Sequence, residues 1–395
     1  MTEKKDKELR SGYTTGACAA AAAAGAARML CEQQLVDSVE IDLPAGVTAR
    51  FTVQGQSFTA ESAACFVIKD AGDDPDVTDG VEVHATVALS PPSPRPSPSG
   101  GEGEGPVSKK NLPPPLKGGG PGEGDASILI LGGVGVGKVT KPGLAVAIGE
   151  PAINPVPRQM IESAVRALFP EEGIEVTISI PDGLARSKRT LNERLGIIGG
   201  LSILGTTGIV RPISHQAWTD TIDVAIDVAL ASVCQEVVLV TGRTSEQVAQ
   251  AELKLAEESF IMMGDHVGYA LEACHRKGVP RIIVAAQFAK LLKMACGHAQ
   301  THVHSSELDL SQLAEWSRDA GLDGSTVEKI ECANTAREVV TTLPQSGSIG
   351  QLVAGRAADH LMKWSGGVPV EIMLIDYNGT VAGCYRSDNK KDLSK

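Results

Sequence analysis

Apolar and polar residues alternate with two different periods along this chain, and the change of period divides it into two regions. The first region opens with an alanine-rich segment, 17–30, which predicts a helix from Thr14 to about Cys31. Short segments with strand-like alternation follow at 39–43, 48–53 and 64–68. We therefore predict an α+β N-terminal domain over residues 1–190.

The second region consists of repeated strand, loop and helix units. Its predicted strands are 197–204, 237–240, 260–263 and 281–286. Its predicted helices are 214–233, which Ser214 caps, 245–257, 265–277 and 288–295. Four such units predict an α/β open-sheet, Rossmann-like second domain over residues 191–330.

Residues 90–125 interrupt the first region with 10 of the 22 prolines of the chain and 9 of its 43 glycines. A segment of this composition cannot bury enough apolar surface to fold, so we predict a disordered insertion between two strands. The alternative is a proline-rich recognition segment, although its PxxP spacing is loose and acidic residues interrupt it.

The C-terminal segment, 331–395, does not continue the alternation of strands and helices. Asn378-Gly379 lies between two apolar runs, which is a strong signal for a β-hairpin with a two-residue turn. We expect this hairpin to rejoin the sheet of the first domain.

The acidic net charge of the chain disfavours nucleic acid as a ligand. The chain has 36 Lys+Arg and 48 Asp+Glu, a formal net charge of −12, and no long basic tract, so nucleic-acid binding is disfavoured. Its eight cysteines form no CxxC pair, which argues against a zinc framework and favours reduced thiols in a cytoplasmic protein. The alanine-rich segment is shorter than the roughly 20 residues that span a bilayer, and we predict no membrane anchor.

A glycine-rich loop, 132–138, follows a predicted strand and ends in Lys138. Its spacing matches a phosphate-binding loop up to the lysine, but Val139 stands where a Ser or Thr hydroxyl would hold magnesium. Pro142 also argues against the helix that such a loop requires. An ATP-dependent enzyme that uses this loop is an alternative, and a glycine-rich hairpin or ligand-facing loop is favoured.

Glycine and threonine gather where the predicted parallel strands of the second domain end. These loops are 205–208, 241–244, 264–266 and 286–287. Open α/β sheets bind ligands at this edge, where glycine lets backbone amides approach and an aspartate can take a pair of ribose hydroxyls. The alternative is that these residues only form tight turns.

Two further motifs lie in the first domain. Five aspartates crowd into residues 69–79 without the spacing of a calcium loop. They form either a solvated turn or a site where a carboxylate handles a proton or steers a cationic reactant. Thr14-Thr15-Gly16, at the start of the alanine-rich helix, suits a ligand carboxylate because unpaired N–H groups and hydroxyls meet there. Its alternative is an ordinary N-cap.

Basic residues are the natural contacts for a polycarboxylate ligand of an acidic protein. The candidates are Arg186, Lys188, Arg189, Arg194, Lys138, Lys141 and Arg211. His298, His302 and His304 are close in sequence, but no cysteine or carboxylate completes a metal-binding spacing around them, so we predict no metal bound by the protein.

Four segments together resemble the cobalt-precorrin-5B (C1)-methyltransferase family. They are LRSGYTTGAC at 9–18, VIKDAGDDPDVT at 67–78, GKVTKPGL at 137–144 and SILGTTGIVRP at 202–212. The resemblance runs from about Leu9 to Arg386, apart from the insertion, which we do not associate with the family.

The resemblance implies transfer of a methyl group from S-adenosylmethionine to ring carbon C1 of cobalt-precorrin-5B, giving cobalt-precorrin-6A in the anaerobic route to cobalamin. Cobalt would arrive inside the tetrapyrrole substrate, and other enzymes of the pathway are candidate partners. Such a transfer chiefly needs alignment of the two reactants, which agrees with a sequence in which no Ser-His-Asp set is evident.

Site roles are predicted from the residues and the resemblance together. We expect S-adenosylmethionine to bind at Gly205, Thr206, Thr207, Gly208, Gly242 and Asp265. We expect the tetrapyrrole carboxylates to bind at Thr14, Lys138, Lys141 and Arg211. Asp70, Asp74 and Thr15 are the candidates for organising the reacting face or accepting a proton. The remaining alternative is a corrinoid-binding protein without catalytic activity.

Overall fold

The computed structural model describes residues 9–90, 127–212, 214–343 and 346–386, so the predicted insertion beyond Ser90 lies outside the described residues. The chain divides into two compact units. Unit 1 comprises Met1–Val139, Gly149–Glu193 and Ile197–Ile213, and unit 2 comprises Thr140–Ile148, Arg194–Gly196 and Ser214–Lys395.

Unit 1 contains short strands and a few helices. Its described strands are β1 Gly12–Tyr13, β2 Ser38–Leu43, β3 Val47–Thr52, β4 Gln54–Phe58, β5 Ser62–Ile68, β6 Glu82–Leu89, β7 Ile128–Gly132, β8 Lys138–Val139, β9 Ile174–Ser179, β10 Ile197–Ile198 and β11 Ile209–Val210. Its described helices are α1 Thr15–Glu32, α2 Pro155–Arg166 and α3 Gly183–Ser187.

The main sheet of unit 1 has the strand order β4-β5-β6-β9-β7. Its neighbours are antiparallel except β7 and β9, which are parallel. A separate hairpin joins β2 to β3, and two short antiparallel pairs join β1 to β11 and β8 to β10. Unit 1 is thus the mixture of largely antiparallel sheet and helices that the sequence predicts.

Helix α1 lies at the centre of unit 1. Fourteen of its 18 residues are buried, and it packs against α2, against β5 and β6, and against β2. Alanine makes this possible because a one-carbon side chain lets a sheet and a second helix approach on different sides at normal packing density.

Unit 2 contains most of the helices. Its described helices are α4 His215–Ala231, α5 Arg243–Leu253, α6 Val267–Lys277, α7 Phe288–Ala295, α8 Leu310–Asp319, α9 Gly324–Cys332, α10 Ala336–Thr342 and α11 Ser346–Trp364, with a 3-10 turn at Glu257–Ser259. Its described strands are β12 Val237–Val240, β13 Phe260–Met262, β14 Ile282–Gln287, β15 Val370–Ile375 and β16 Val381–Arg386. None of the helices in the described parts of either unit is long and apolar enough to cross a membrane.

The sheet of unit 2 has the strand order β13-β12-β14-β15-β16. The first four strands are parallel, and β16 is antiparallel to β15. The predicted strands at β12, β13 and β14 are confirmed. The predicted strand 197–204 is wrong as a member of this sheet, because this segment belongs to unit 1, where it forms β10 and isolated bridges at Leu201 and Ile203.

The C-terminal hairpin forms, but it joins the sheet of unit 2 and not that of the first domain. Strand β15 pairs in parallel with β14 over six residues, from Val370 to Ile375. It is almost wholly buried and apolar, as is typical of a parallel strand that is covered on both faces. Helices α8 to α11 lie between β14 and β15 in the chain and provide the long crossover that a parallel pair needs.

Helices cover both faces of the unit 2 sheet. Helix α5 packs against one face, whereas α6, α7 and α11 belong to the larger cluster on the other. Helix α5 follows β12 and α7 follows β14, so the chain leaves these neighbouring strands toward opposite faces. In open sheets with this strand order, the resulting crevice at the carboxyl ends of the two strands is where ligands bind.

The packing of α1 predicts that enlarging one of its alanines destabilises unit 1. We expect Ala21→Leu, at a fully buried position, to lower the free energy of unfolding by about 1–3 kcal/mol, the usual cost of overpacking. Urea unfolding measures this cost, with Arg28→Leu at an exposed position of the same helix as the control. Equal stability of the two variants would contradict the described packing.

Candidate functional site

Three of the four segments that carry the family resemblance meet in unit 1. Strand β1 pairs with β11, the Tyr13 amide donates to the Asp70 carbonyl at 2.7 Å, and the Thr14 amide donates to the Gly208 carbonyl at 3.0 Å. We call residues 10–16, 69–79 and 202–210 the motif cluster. The main-chain hydrogen bonds hold these distant segments as one structure.

The first turn of α1 is occupied by other parts of the chain. The Thr14 hydroxyl accepts a hydrogen bond from the Ala17 amide at 3.2 Å, which is the ordinary N-cap arrangement. The Thr15 hydroxyl accepts from the Leu204 amide at 3.0 Å, and the Gly16 amide donates to the Leu204 carbonyl, also at 3.0 Å. Both threonines are buried, so the geometry gives them the task of holding the loop that begins at Leu204.

Residues 205–208 do not end a strand of the unit 2 sheet, and the expectation that they share an edge with Gly242 and Asp265 is wrong. Gly205 has a φ of 129°, and a Cβ at this position would lie 2.4 Å from the Thr14 hydroxyl oxygen. Glycine is therefore required here by backbone conformation and by the close approach to α1. Thr206 and Thr207 are exposed beside this contact.

Arg10 organises the acidic loop of the motif cluster. Its guanidinium donates two hydrogen bonds to the Asp70 carboxylate, at 2.5 and 2.8 Å, and its amide donates to Asp73 at 2.8 Å. The Arg10 guanidinium lowers the pKa of Asp70 to about 2. A carboxylate with this pKa is a weak proton acceptor near neutral pH, so the arrangement suits an organising role for Asp70. Asp74 lies half-buried in the same loop.

A buried ion pair at the base of the acidic loop is not evident from the sequence. The side chain of Lys69 is 1% exposed, and its ammonium lies 2.6 Å from the Asp76 carboxylate. Burial alone would raise the pKa of Asp76, but Lys69 and Thr78 lower it, so the carboxylate stays ionised. The signal in the sequence is a lysine at the end of an apolar strand, within the segment 69–79 for which the sequence allows either a solvated turn or a carboxylate site.

The glycine-rich loop does not have the geometry of a phosphate-binding loop. Lys138 lies in strand β8, and the next helix, α2, starts only at Pro155. A Cβ at Gly135 would lie 1.8 Å from the Ile180 carbonyl oxygen, and one at Gly137 would lie 2.4 Å from a methyl carbon of Ile197. These glycines allow the close approach of neighbouring segments, and the ATP-dependent alternative loses its structural basis.

The other two predicted cofactor residues lie at the carboxyl ends of the unit 2 strands, which we call the carboxyl edge. Val240, the last residue of β12, is in register with Met262 of β13 and Ala285 of β14, so Gly242 lies between the ends of the two flanking strands. Gly242 has an extended backbone with a φ of 178°, and a Cβ there would meet no atom within 4 Å. Neither backbone conformation nor packing requires glycine at this position.

Asp265 follows β13 and is held by two groups from later in the chain. Lys290, in the first turn of α7, forms an ion pair with its carboxylate, and the Thr301 hydroxyl donates to the same Oδ1 atom at 2.7 Å. Burial alone would raise the pKa of Asp265, but these two donors lower it. Because β12 lies between β13 and β14, the ion pair joins the strand ends on either side of Gly242.

The predicted basic residues have different surroundings. Lys138 and Arg211 are exposed in unit 1. Lys141 belongs to unit 2, where its ammonium lies 2.8 Å from the Glu258 carboxylate and donates to the Arg194 carbonyl. Arg194 binds Glu246 at 2.6 Å and the Phe260 carbonyl at 2.6 Å. Lys141 and Arg194 therefore fix short segments of chain to unit 2.

Metal and thiol chemistry have little support in the described residues. Within them, no group of three or more His, Cys, Asp and Glu side chains could hold a metal ion. The His302 and His304 rings lie next to each other, but both residues are exposed. Burial raises the pKa of the Cys18 thiol to about 12, so this cysteine at the start of α1 is a packing residue.

The buried ion pair predicts that removing only the Asp76 charge costs more stability than removing both charges. We expect Asp76→Asn to cost about 3–5 kcal/mol of unfolding free energy, because the Lys69 charge then stays buried without its carboxylate. Urea unfolding measures the difference in unfolding free energy between Asp76→Asn and a double variant that combines Asp76→Asn with Lys69→Met. The double variant removes the charge and is expected to recover much of the loss. A double variant no more stable than Asp76→Asn would contradict this assignment.

Comparison with known proteins extends over almost the whole chain. A family model described as CbiD matches residues 2–122 and 120–212, and a second, described as the CbiD C-terminal domain, matches residues 300–386.

Two relatives illustrate the similarity. The chain is 52% identical to a cobalt-precorrin-5B C(1)-methyltransferase of Geobacter sulfurreducens over 95% of this chain and 98% of the relative. It is 40% identical to one of Priestia megaterium over 87% of this chain and 86% of that relative. A crystal structure of a cobalamin biosynthesis protein (cbiD) from Archaeoglobus fulgidus matches with 25% identity and a TM-score of 0.37 over 80% of this chain and 86% of that one. The chain belongs to the CbiD family.

Proposed function

We propose that this protein transfers a methyl group to carbon C1 of cobalt-precorrin-5B and so produces cobalt-precorrin-6A. The observation that carries the proposal is the 52% identity, along 95% of the chain, to a relative named for this reaction. This similarity spans 95% of the chain and 98% of the relative, so it covers both units, and that coverage supports a shared reaction.

S-adenosylmethionine is the proposed methyl donor, and its proposed site is the carboxyl edge of unit 2. When bound, it supplies a methyl group on a positively charged sulfur. Gly242 supports this site because its missing side chain leaves open space that packing and backbone conformation do not explain. Asp265 contributes an ionised carboxylate one strand away, which can accept hydrogen bonds from ribose hydroxyls. A Rossmann-like ligand site at this crevice agrees with the strand order.

The motif cluster of unit 1 is the proposed site of the tetrapyrrole. Its exposed threonines, Thr206 and Thr207, lie on a loop that the first turn of α1 holds in place. Lys138 and Arg211 are exposed cations of the same unit and are suited to the carboxylates of the substrate. We therefore reassign the loop 205–208 from the donor to the tetrapyrrole side.

The catalytic task of these residues is to fix the reactants. Methyl transfer breaks a carbon–sulfur bond as a carbon–carbon bond forms, and alignment of the two reactants lowers its barrier. Asp70 would act as a fixed negative charge held by Arg10, whereas Asp74 stays a candidate proton acceptor. A corrinoid-binding protein without this activity would bind the macrocycle but would not need a donor site beside the open space at Gly242.

The remaining assignments concern the setting of the reaction. We propose a cytoplasmic protein, because all eight cysteines are unpaired, as expected in a reducing compartment. Other enzymes that act on the same tetrapyrrole intermediates are its proposed partners.

Ligand-induced stabilisation tests the donor assignment. We expect S-adenosylmethionine and S-adenosylhomocysteine to raise the unfolding temperature and Mg-ATP to leave it unchanged, measured under reducing, oxygen-free conditions. A ligand at a hundred times its dissociation constant adds about 2.7 kcal/mol, which a thermal-shift titration resolves. Stabilisation by Mg-ATP alone would contradict the donor assignment.

Filling the open crevice tests where the donor binds. We expect Gly242→Leu to abolish S-adenosylhomocysteine binding in isothermal titration while the unfolding temperature stays close to that of the wild type, because the new side chain meets no protein atom near its Cβ. Gly324→Leu is the control, since Gly324 is the first residue of α9 and likewise has no atom within 4 Å of its Cβ position. Unchanged binding to Gly242→Leu would place the donor elsewhere.

A further inference from the structure

Three aromatic rings lie next to Asp265 at the carboxyl edge, and the functions assigned above do not use them. The Trp218 and His266 rings are near parallel, with an interplanar angle of 26° and centroids 6.2 Å apart. The His215 ring meets His266 edge-on at 5.4 Å. We call Trp218, His215 and His266 the aromatic platform.

The aromatic platform belongs to the end of strand β13. The Trp218 ring lies over Gly264, where a Cβ would approach its ring carbons at 3.6 Å, and Gly264 directly precedes Asp265 and His266. Trp218 comes from the first turns of α4, where the neighbouring Gln216, Ala217 and Asp220 are also exposed. The indole thus reaches the carboxyl edge from a different element and does not enter the core.

The exposure of the Trp218 indole indicates that its surface is available to a ligand. Trp218 is 48% exposed, although a buried tryptophan contributes more to stability than an exposed one. Burial and the neighbouring His215 lower the pKa of His266, so the imidazole is neutral near pH 7. The aromatic platform therefore provides the large uncharged surface of the Trp218 indole and the smaller uncharged surface of the His266 imidazole.

We propose that Trp218 and His266 form the stacking surface for the adenine ring of the methyl donor, an inference that rests on the proposed function. A purine has about the size of an indole and stacks on aromatic side chains without needing a particular hydrogen-bond pattern. Asp265 is next in sequence to His266, so a ribose attached to a stacked adenine would lie near its carboxylate, which would accept hydrogen bonds from the ribose hydroxyls.

Charge favours adenosine with a cationic sulfur over other flat ligands. The ionised Asp265 carboxylate attracts hydroxyl donors and a sulfonium, whereas it repels a triphosphate or the carboxylates of a tetrapyrrole. Its pairing with Lys290 fixes the carboxylate at the strand end. The carboxylate of Asp265 beside the aromatic platform therefore favours an adenosine that carries a cationic sulfur over ATP, whose adenosine carries a triphosphate.

Isothermal titration of the full-length protein with S-adenosylhomocysteine and with adenosine tests the proposal. We expect Trp218→Ala to weaken both ligands by the same factor, roughly tenfold or more, from the strength of stacking between a base and an aromatic ring. Trp218→Phe keeps an aromatic face and is expected to retain most of the affinity. Because Trp218 is exposed, both variants should unfold at the wild-type temperature.

Fluorescence provides a second measurement that a structural role would not affect. S-adenosylhomocysteine should quench the wild-type tryptophan emission, and Trp218→Phe should lose this response. Trp316→Phe should keep it, because Trp316 belongs to α8 and packs under the Arg356 guanidinium. This control separates quenching at the aromatic platform from a general change in the protein.

The outcomes separate the two proposals. If the wild type binds S-adenosylhomocysteine and Trp218→Ala binds it equally well, the aromatic platform is not the adenine site and the proposed function stands. If Trp218→Ala raises only the KM for the tetrapyrrole, the rings contact the substrate and the adenine assignment is overturned. If the wild type binds neither S-adenosylhomocysteine nor adenosine, the donor assignment fails and the stacking proposal fails with it.

Discussion

The structure of unit 1 depends on the burial of helix α1, which neighbouring elements contact on most of its sides. The single-carbon side chains of α1 let α2 and the strands β5 and β6 approach together, and this encloses the first turn of the helix. Enclosed amides and hydroxyls need hydrogen-bond partners from the protein itself. The segment that begins at Leu204 lies against this first turn, and the Leu204 amide and carbonyl provide those hydrogen-bond partners. The segment that ends at Asp70 pairs with the chain just before the helix, at Tyr13. The motif cluster is thus a consequence of burying the start of α1.

The elements of unit 2 were predictable where an apolar run also carried a boundary signal. Strands β12 and β14 and the helix α7 lie where the sequence predicts them, because each run is followed at once by a polar or capping residue. The segment 197–204 is also largely apolar, yet it forms the short strand β10 and isolated bridges in unit 1. Periodicity reveals that a segment is buried but not which segments pair with it. The hairpin at Asn378-Gly379 shows the same limit, since its turn was predicted and its sheet was not.

The candidate site was predictable by residue type and less so by contact. Thr14 and Asp265 lie at the helix start and the strand end where the sequence places them, and the N-cap bond from Ala17 to Thr14 follows a local pattern that the sequence allows as an alternative. The distant partners, Arg10 of Asp70 and Lys290 of Asp265, could not be read from the sequence. An ion pair depends on which distant segments meet, and no local pattern encodes that. For this reason Lys141, expected to be available to a ligand, is tied to Glu258, and the buried Lys69 went unnoticed.

Glycines in the described part of the chain have different structural environments. Gly205 and Gly135 have positive φ angles and contact other backbone or side-chain atoms where a Cβ would stand, so the fold itself requires them. Gly324 lies in open space at the start of a helix, away from any strand end. Gly242 is also free of strain and of contact, but it lies between the ends of β13 and β14 with an ionised aspartate and an exposed indole on the same edge. A sequence rich in glycine therefore suggests many ligand loops, whereas in the described residues space, charge and an exposed aromatic ring occur together at Gly242, which is why we propose the donor site there.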